Sequence, residues 1–130
     1  MGDAADTSTI GLSAIGQIAV NVRDLDRAVA FYRDALGLPF LFQAPALAFF
    51  DCAGVRLMLG LPEQAAHDHP SSILYFTVPD LRLAYDTLAA RGVAFIDEPH
   101  LIARMPDHEL WMAFFTDTEG NTHGLMSEVR

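Results

Sequence analysis

The chain holds a single cysteine, Cys52, in 130 residues, so no intrachain disulfide can form and a reducing compartment suits it. It has no apolar run near the ~20 residues that span a bilayer, so no membrane partner is expected. Basic residues are scarce: eight Lys and Arg stand against seventeen Asp and Glu, for a formal net charge of −9. Binding to phosphate backbones needs clustered Lys and Arg, so a nucleic-acid partner is excluded, while the acidic balance favours solubility. Residues 1–14 lack a basic start and an apolar stretch. They read as a flexible leader and not as a secretory signal, and the expectation is a cytoplasmic protein. Gly2 does not make a myristoylation site, because Asp6 stands where Ser or Thr is needed.

What is present is a core. Hydrophobic residues make up 52% of the chain and charged residues 19%, which excludes disorder and fits one domain. The sequence also repeats itself. Val22-Arg23-Asp24-Leu25-Asp26-Arg27-Ala28 returns as Val78-Pro79-Asp80-Leu81-Arg82-Leu83-Ala84. Each copy follows a short alternating apolar run and leads into a helical pattern that stops at a glycine, Gly37 or Gly92. A period of roughly 55 residues means two similar units, each too small to close its own core. Paired curved units leave a groove, and grooves hold ligands.

The pattern predicts an α+β fold of two paired βαβββ modules forming a curved sheet around that groove. Ile18, Val20 and Val22 fall on one strand face and Gln17, Ala19 and Asn21 on the other. Asp24 and Asp80 are placed to cap helices at their N-termini, and Gly37 and Gly92 to end them. Phe40–Gln43, Leu47–Cys52 and Val55–Gly60 read as strands, with Ala53-Gly54 as a turn. In the second unit, Leu74, Phe76 and Val78 share one face and Ile73, Tyr75 and Thr77 the other. Ala94–Ile96 is a short strand, Pro99–Asp107 is irregular or strand in part, and Leu110–Thr116 and Asn121–Ser127 form a hairpin closed by Asp117-Thr118-Glu119-Gly120. The expected boundaries within a single domain over 15–130 are a first module at about 15–61, a linker at 62–71 and a second module at about 72–128.

Two stretches carry a family resemblance: Val22 to Leu38, with its D-L-x-x-A-x-x-F-Y-x-x-x-L-G pattern, and Phe115-Thr116-Asp117-Thr118-Glu119-Gly120-Asn121. The chain resembles the vicinal oxygen chelate superfamily, also called the glyoxalase/bleomycin-resistance/dioxygenase superfamily, from about Ile15 to Glu128. The resemblance implies homodimers with two grooves, the modules in many relatives being exchanged between chains. In the metal-dependent branch it implies four groove-facing ligands drawn from His, Gln and Glu. The matching positions here are Gln17, Met58, Ile73 and Gly124. A thioether, an alkyl chain and a glycine do not suit a hard dication, so the expectation is no metal and no cofactor. A register error of one residue brings in Ser72 or His123, but no glutamate.

The expected function is therefore metal-independent binding of an apolar or aromatic small molecule in the inter-module groove. The alternative is a metal-dependent lyase, isomerase or dioxygenase of the same superfamily with displaced ligands such as His100, His108 and Glu109. The candidate ligand-binding residues are Gln17, Asn21, Arg56, Met58, Ile73, Tyr75, Phe114, Gly124 and Met126. Gln17, Asn21 and Tyr75 offer amide and hydroxyl partners. Met58, Met126 and one ring of each pair Phe49-Phe50 and Phe114-Phe115 give an apolar, adaptable wall. Arg56 either holds an anionic group of the ligand or pairs with a surface carboxylate. No catalytic residue is assigned: His100 and His108 are either groove-entrance acid–base groups or ordinary loop residues. His67 and His69 read as a solvated linker, His123 as a partly buried imidazole on the helix side, and Cys52 as a small hydrophobe.

Overall fold

Alternating side chains set the orientation of both sheets. In β1 (Gln17–Asn21), Val20 is buried together with the following Val22, while Gln17 and Ala19 stay exposed. The protein is seen here in a computed structural model that describes residues 10–62 and 68–130. Residues 1–9 of the expected 1–14 leader, and His67 in the expected linker, lie outside the described residues.

After β1, the Asp24 carboxylate accepts from the Arg27 N–H and caps α1 (Leu25–Ala30). The helix runs on through Phe31–Ala35 as a wider turn, in which Leu36 N–H donates to Phe31 C=O at 3.0 Å. The even helical spacing expected through Leu36 thus gives way to an i→i+5 turn, which brings Phe31 and Leu36 to one face. Both pack against the second module's core as well as their own. Gly37, at φ 74°, turns the chain out of the helix. Strands β2 (Phe40–Ala44), β3 (Leu47–Cys52) and β4 (Val55–Gly60) follow. Positive φ at both Ala53 and Gly54 closes a tight hairpin.

The second module repeats the plan. β5 (Leu74–Thr77) leads to α2 (Leu81–Ala90), capped by the Asp80 side chain on Leu83 N–H. Then come β6 (Ala94–Phe95), β7 (His100–Arg104), β8 (Glu109–Thr116) and β9 (Thr122–Val129). The sheet orders are β1-β4-β3-β2 and β5-β9-β8-β6, with β7 also paired to β8. β6 and β7 together stand where β2 stands in the first sheet, as one strand broken in the middle. At the break, the Asp97 carboxylate accepts the Phe114 N–H at 2.8 Å and replaces a missing ladder partner.

Two apolar clusters fill the helix-facing sides. One holds Val20, Tyr32, Phe50 and Leu59; the other holds Leu88, Ala113, Phe115 and Leu125. Each large side chain in them contributes about 1.5–3 kcal/mol by leaving water. Phe31 and Leu36, just after α1, pack against both clusters and join them. The sheet faces turned away from the helices are called open here. The architecture is α+β, with curved sheets that do not close into a barrel.

Candidate functional site

Strand alternation puts all nine candidate ligand-binding residues on the open faces, in two separate groups. In the first sheet, Gln17 pairs across the ladder with Arg56, and Ala19 with Met58. The Arg56 Nε–H donates to Gln17 Oε1 at 2.7 Å, and Gln17 Nε2 lies 3.7 Å from the Met58 sulfur. The Arg56 guanidinium sits 5.4 Å from the centre of the Phe49 ring, and Phe49 is stacked on Phe42 at 4.6 Å. Beside this row lies a cavity of about 410 Å³ lined by Ala19, Asn21, Leu47, Met58 and Ser71.

In the second sheet, Tyr75 and Phe114 meet edge to face at 5.8 Å over Gly124. A Cβ on Gly124 would lie 3.0 Å from the Tyr75 ring and 3.1 Å from the Phe114 ring, so the glycine is what lets both rings close down on the strand. Met126 pairs with both Thr77 and Met112. Ile73 and Tyr75 also line a cleft of about 730 Å³ between the modules, together with Leu38, Cys52 and Leu57. Burial, then Asp51, pushes the Cys52 thiol above its usual range, which disfavours the reactive thiolate. Among the described residues, no hydrogen bond or ring contact joins the Gln17–Arg56–Met58 group to the Tyr75–Phe114–Gly124 group.

The inner junction holds polar chemistry that sequence reasoning missed. Tyr32 Oη donates to Asp117 at 2.6 Å and contacts His123 Nε2 at 2.8 Å. Leu74 N–H reaches His123 Nδ1 at 3.4 Å, which assigns the hydrogen to Nε2 and makes Tyr32 Oη its acceptor. His123 is fully buried, and desolvation lowers its pKa and keeps the ring neutral. Burial first, then Asp117, holds the Tyr32 hydroxyl protonated. Asp117 also accepts from the backbone of Glu119 and Asn121 and from the Asn121 amide, and that amide reaches across to Asn21 C=O at 2.9 Å. Glu119 accepts from Arg23 N–H, Asp24 N–H and the Arg27 guanidinium. Burial opposes its charge, but these donors win and lower its pKa from 4.5 to about 2. The hairpin turn read as Asp117–Gly120 is therefore a latch between the modules. The available signal was two acids and an amide packed into one turn.

A sequence profile described as the Glyoxalase/Bleomycin resistance protein/Dioxygenase superfamily matches residues 14–124. The chain belongs to that superfamily. It is 30% identical to the uncharacterized protein YraH of Bacillus subtilis, over 81% of this chain and 91% of that one. A glyoxalase/bleomycin resistance protein/dioxygenase superfamily member from Sphaerobacter thermophilus aligns with a TM-score of 0.74 at 24% identity, covering 90% of this chain and 98% of that one. A lactoylglutathione lyase from Agrobacterium tumefaciens aligns with a TM-score of 0.66 at 25% identity, covering 90% and 95%.

For a superfamily member, the question is whether the four positions matched to metal ligands fit a dication. The Gln17 amide oxygen is the one hard donor among them, and a guanidinium nitrogen already lies 2.7 Å from it. A second cation there would meet direct repulsion. Met58 offers a soft sulfur, and Ile73 and Gly124 offer no donor. These residues do not fit the ion. The displaced set does not converge either. Glu109 is taken by Arg104 and Trp111, His108 by Asp107, and His100 by the Glu98 carbonyl. Among the described residues, no group of three His, Cys, Asp or Glu side chains is placed to hold a metal. No helix among them is long and apolar enough to cross a membrane. His69, from the expected linker, contacts Pro70 C=O through Nδ1 and gives its own carbonyl to the Asn21 amide.

Proposed function

We propose that this superfamily member binds an apolar or aromatic small molecule without a metal, in a groove walled by the open face of one module and the open face of the other. Phe31 and Leu36 tie the helix-facing sides of the two modules together, which in this reading leaves both open faces on the outside of the chain. The groove reading therefore takes its second wall from a second copy, in a homodimer with two grooves. The observation that carries it is the character of the open faces. Phe42, Ile73 and Tyr75 are 50%, 44% and 47% exposed, beside Phe49, Met58 and Phe114, and such apolar area on a chain with a well-formed core marks a binding surface. No step in this reading moves a proton or breaks a bond.

The test uses the neutral, environment-sensitive fluorophore N-phenyl-1-naphthylamine with metal-free protein in EDTA. Fluorescence should rise to saturation at one probe per chain, on a species of twice the chain mass by light scattering. A monomer, or a rise that appears only after adding Ni²⁺, Zn²⁺, Mn²⁺ or Fe²⁺, would overturn the proposal.

A further inference from the structure

All eight basic residues of this chain are arginines, and six of them are matched by carboxylates. Arg23 pairs with Asp68, Arg27 with Glu119, Arg33 with Asp34, Arg82 with Asp86, Arg104 with Glu109, and Arg130 with Asp107 and Glu128. Arg91 donates to the Ala35 carbonyl near the end of the first helix. Arg56 is the exception on an open face. In a protein with seventeen acids, it makes no ion pair among the described residues. Asp51 stands opposite it in the ladder, but the Asp51 carboxylate accepts the Gly54 N–H of the hairpin turn at 3.0 Å.

Arg56 is nevertheless held in place. Its Nε is fixed by Gln17, whose amide leans on Met58, and its guanidinium carbon lies 5.4 Å over the centre of the Phe49 ring. These contacts remove rotamer freedom before any ligand arrives, and they leave the two terminal nitrogens as an unfilled end-on fork. A fork of that shape matches the two oxygens of a carboxylate. From Arg56, the open row runs along β4 past Met58 to Gly60, roughly 13 Å at ~3.3 Å per residue. There it meets the cavity of about 410 Å³, a volume that takes one or two rings.

Resting on the groove reading above, we infer that the ligand is an aromatic or apolar monocarboxylic acid, anchored by Arg56 with Gln17 and Phe49 as its positioning residues. A single guanidinium balances one negative charge, and no second arginine lines this row, where His69 is the other basic side chain, so a carboxylate fits better than a phosphate dianion.

The test compares 2-naphthoate, 2-naphthamide and 2-naphthyl phosphate by ligand-observed NMR titration of the full chain. Naphthoate should bind at least about tenfold more tightly than the isosteric amide, the size of one charge-assisted bidentate contact, and more tightly than the phosphate. The preference should shrink as salt is raised. Arg56→Met should bring the acid-to-amide ratio to about one, and Arg56→Lys should restore part of it. Arg82→Met, on an exposed helix face, should leave the ratio as it is. Equal binding of acid and amide by the wild type, a ratio that survives Arg56→Met, or tighter phosphate binding would overturn the carboxylate anchor and leave the groove standing. Failure of all three to bind would overturn the groove reading and the anchor with it.

Discussion

The inner junction and the open faces handle polar groups in opposite ways. At the junction, Tyr32, Asp117, Asn121 and His123 satisfy one another across the modules, and among the described residues no buried side-chain polar atom lacks a partner. On the open faces, the Arg56 fork is unfilled, and rings such as Phe42 and Tyr75 stand half exposed. The same alternating strands serve both sides: His123 points inward and Gly124 outward. The lesson is that the polar residues of most interest at first sight, a buried Tyr–Asp–His set, are structural here. Each is buried and already used by the others or by the turn. The residues available to a ligand are those whose bonding capacity is left over.

Mutation separates the two regions by size of effect. Asp117→Ala should be the most damaging change, because it strands the Tyr32 hydroxyl, two backbone N–H groups and the Asn121 amide. Urea unfolding should show a loss of about 3–5 kcal/mol. A loss below about 1 kcal/mol would mean the latch does not hold the modules together.

Acid should then probe the junction without mutation. The folded His123 pKa is lowered from 6.5, so its contribution is whole above pH about 6.5. It erodes below that, as the unfolded chain takes up a proton the folded ring resists. The folded Glu119 pKa is lowered from 4.5 to about 2, so its contribution is whole above pH 4.5 and is lost as the pH falls toward 2. Unfolding free energy measured from pH 8 to 3 should fall in two stages, and Glu119→Gln should flatten the second.

The open faces should give small changes in stability and larger ones in binding. Gly124→Ala places a Cβ 3.0 Å from the Tyr75 ring and 3.1 Å from Phe114, yet both rings can swing outward. The expected cost is about 1 kcal/mol or less, with a severalfold loss of N-phenyl-1-naphthylamine affinity in the same fluorescence titration.

Much of this division was legible in the sequence. Strand alternation told Ile18 and Val20 from Gln17 and Ala19, and it told His123 from Gly124, because period-two patterning records burial directly. Asp24 and Asp80 declared their helix caps. The strand break near Pro99 was half legible: proline signals an interruption, but only the paired strand shows Asp97 filling it. The latch was not legible, because Tyr32 and Asp117 lie 85 positions apart and helical spacing alone makes Tyr32 an ordinary core residue. Nor was the way the two modules join. A repeat fixes the shape of each unit, while their junction is made just after α1, by Phe31 and Leu36 packing into both cores.

The central claim, a metal-free groove with walls from two copies, is tested most directly by complementation. Met58→Arg should spoil one wall and Phe114→Arg the other, so each homodimer should fail to bind N-phenyl-1-naphthylamine in EDTA. Co-expressed and purified as a mixed dimer, the two chains rebuild one groove with both walls intact, so binding should return at one probe per dimer. No recovery in a verified mixed dimer, or recovery only with added metal, would contradict the account.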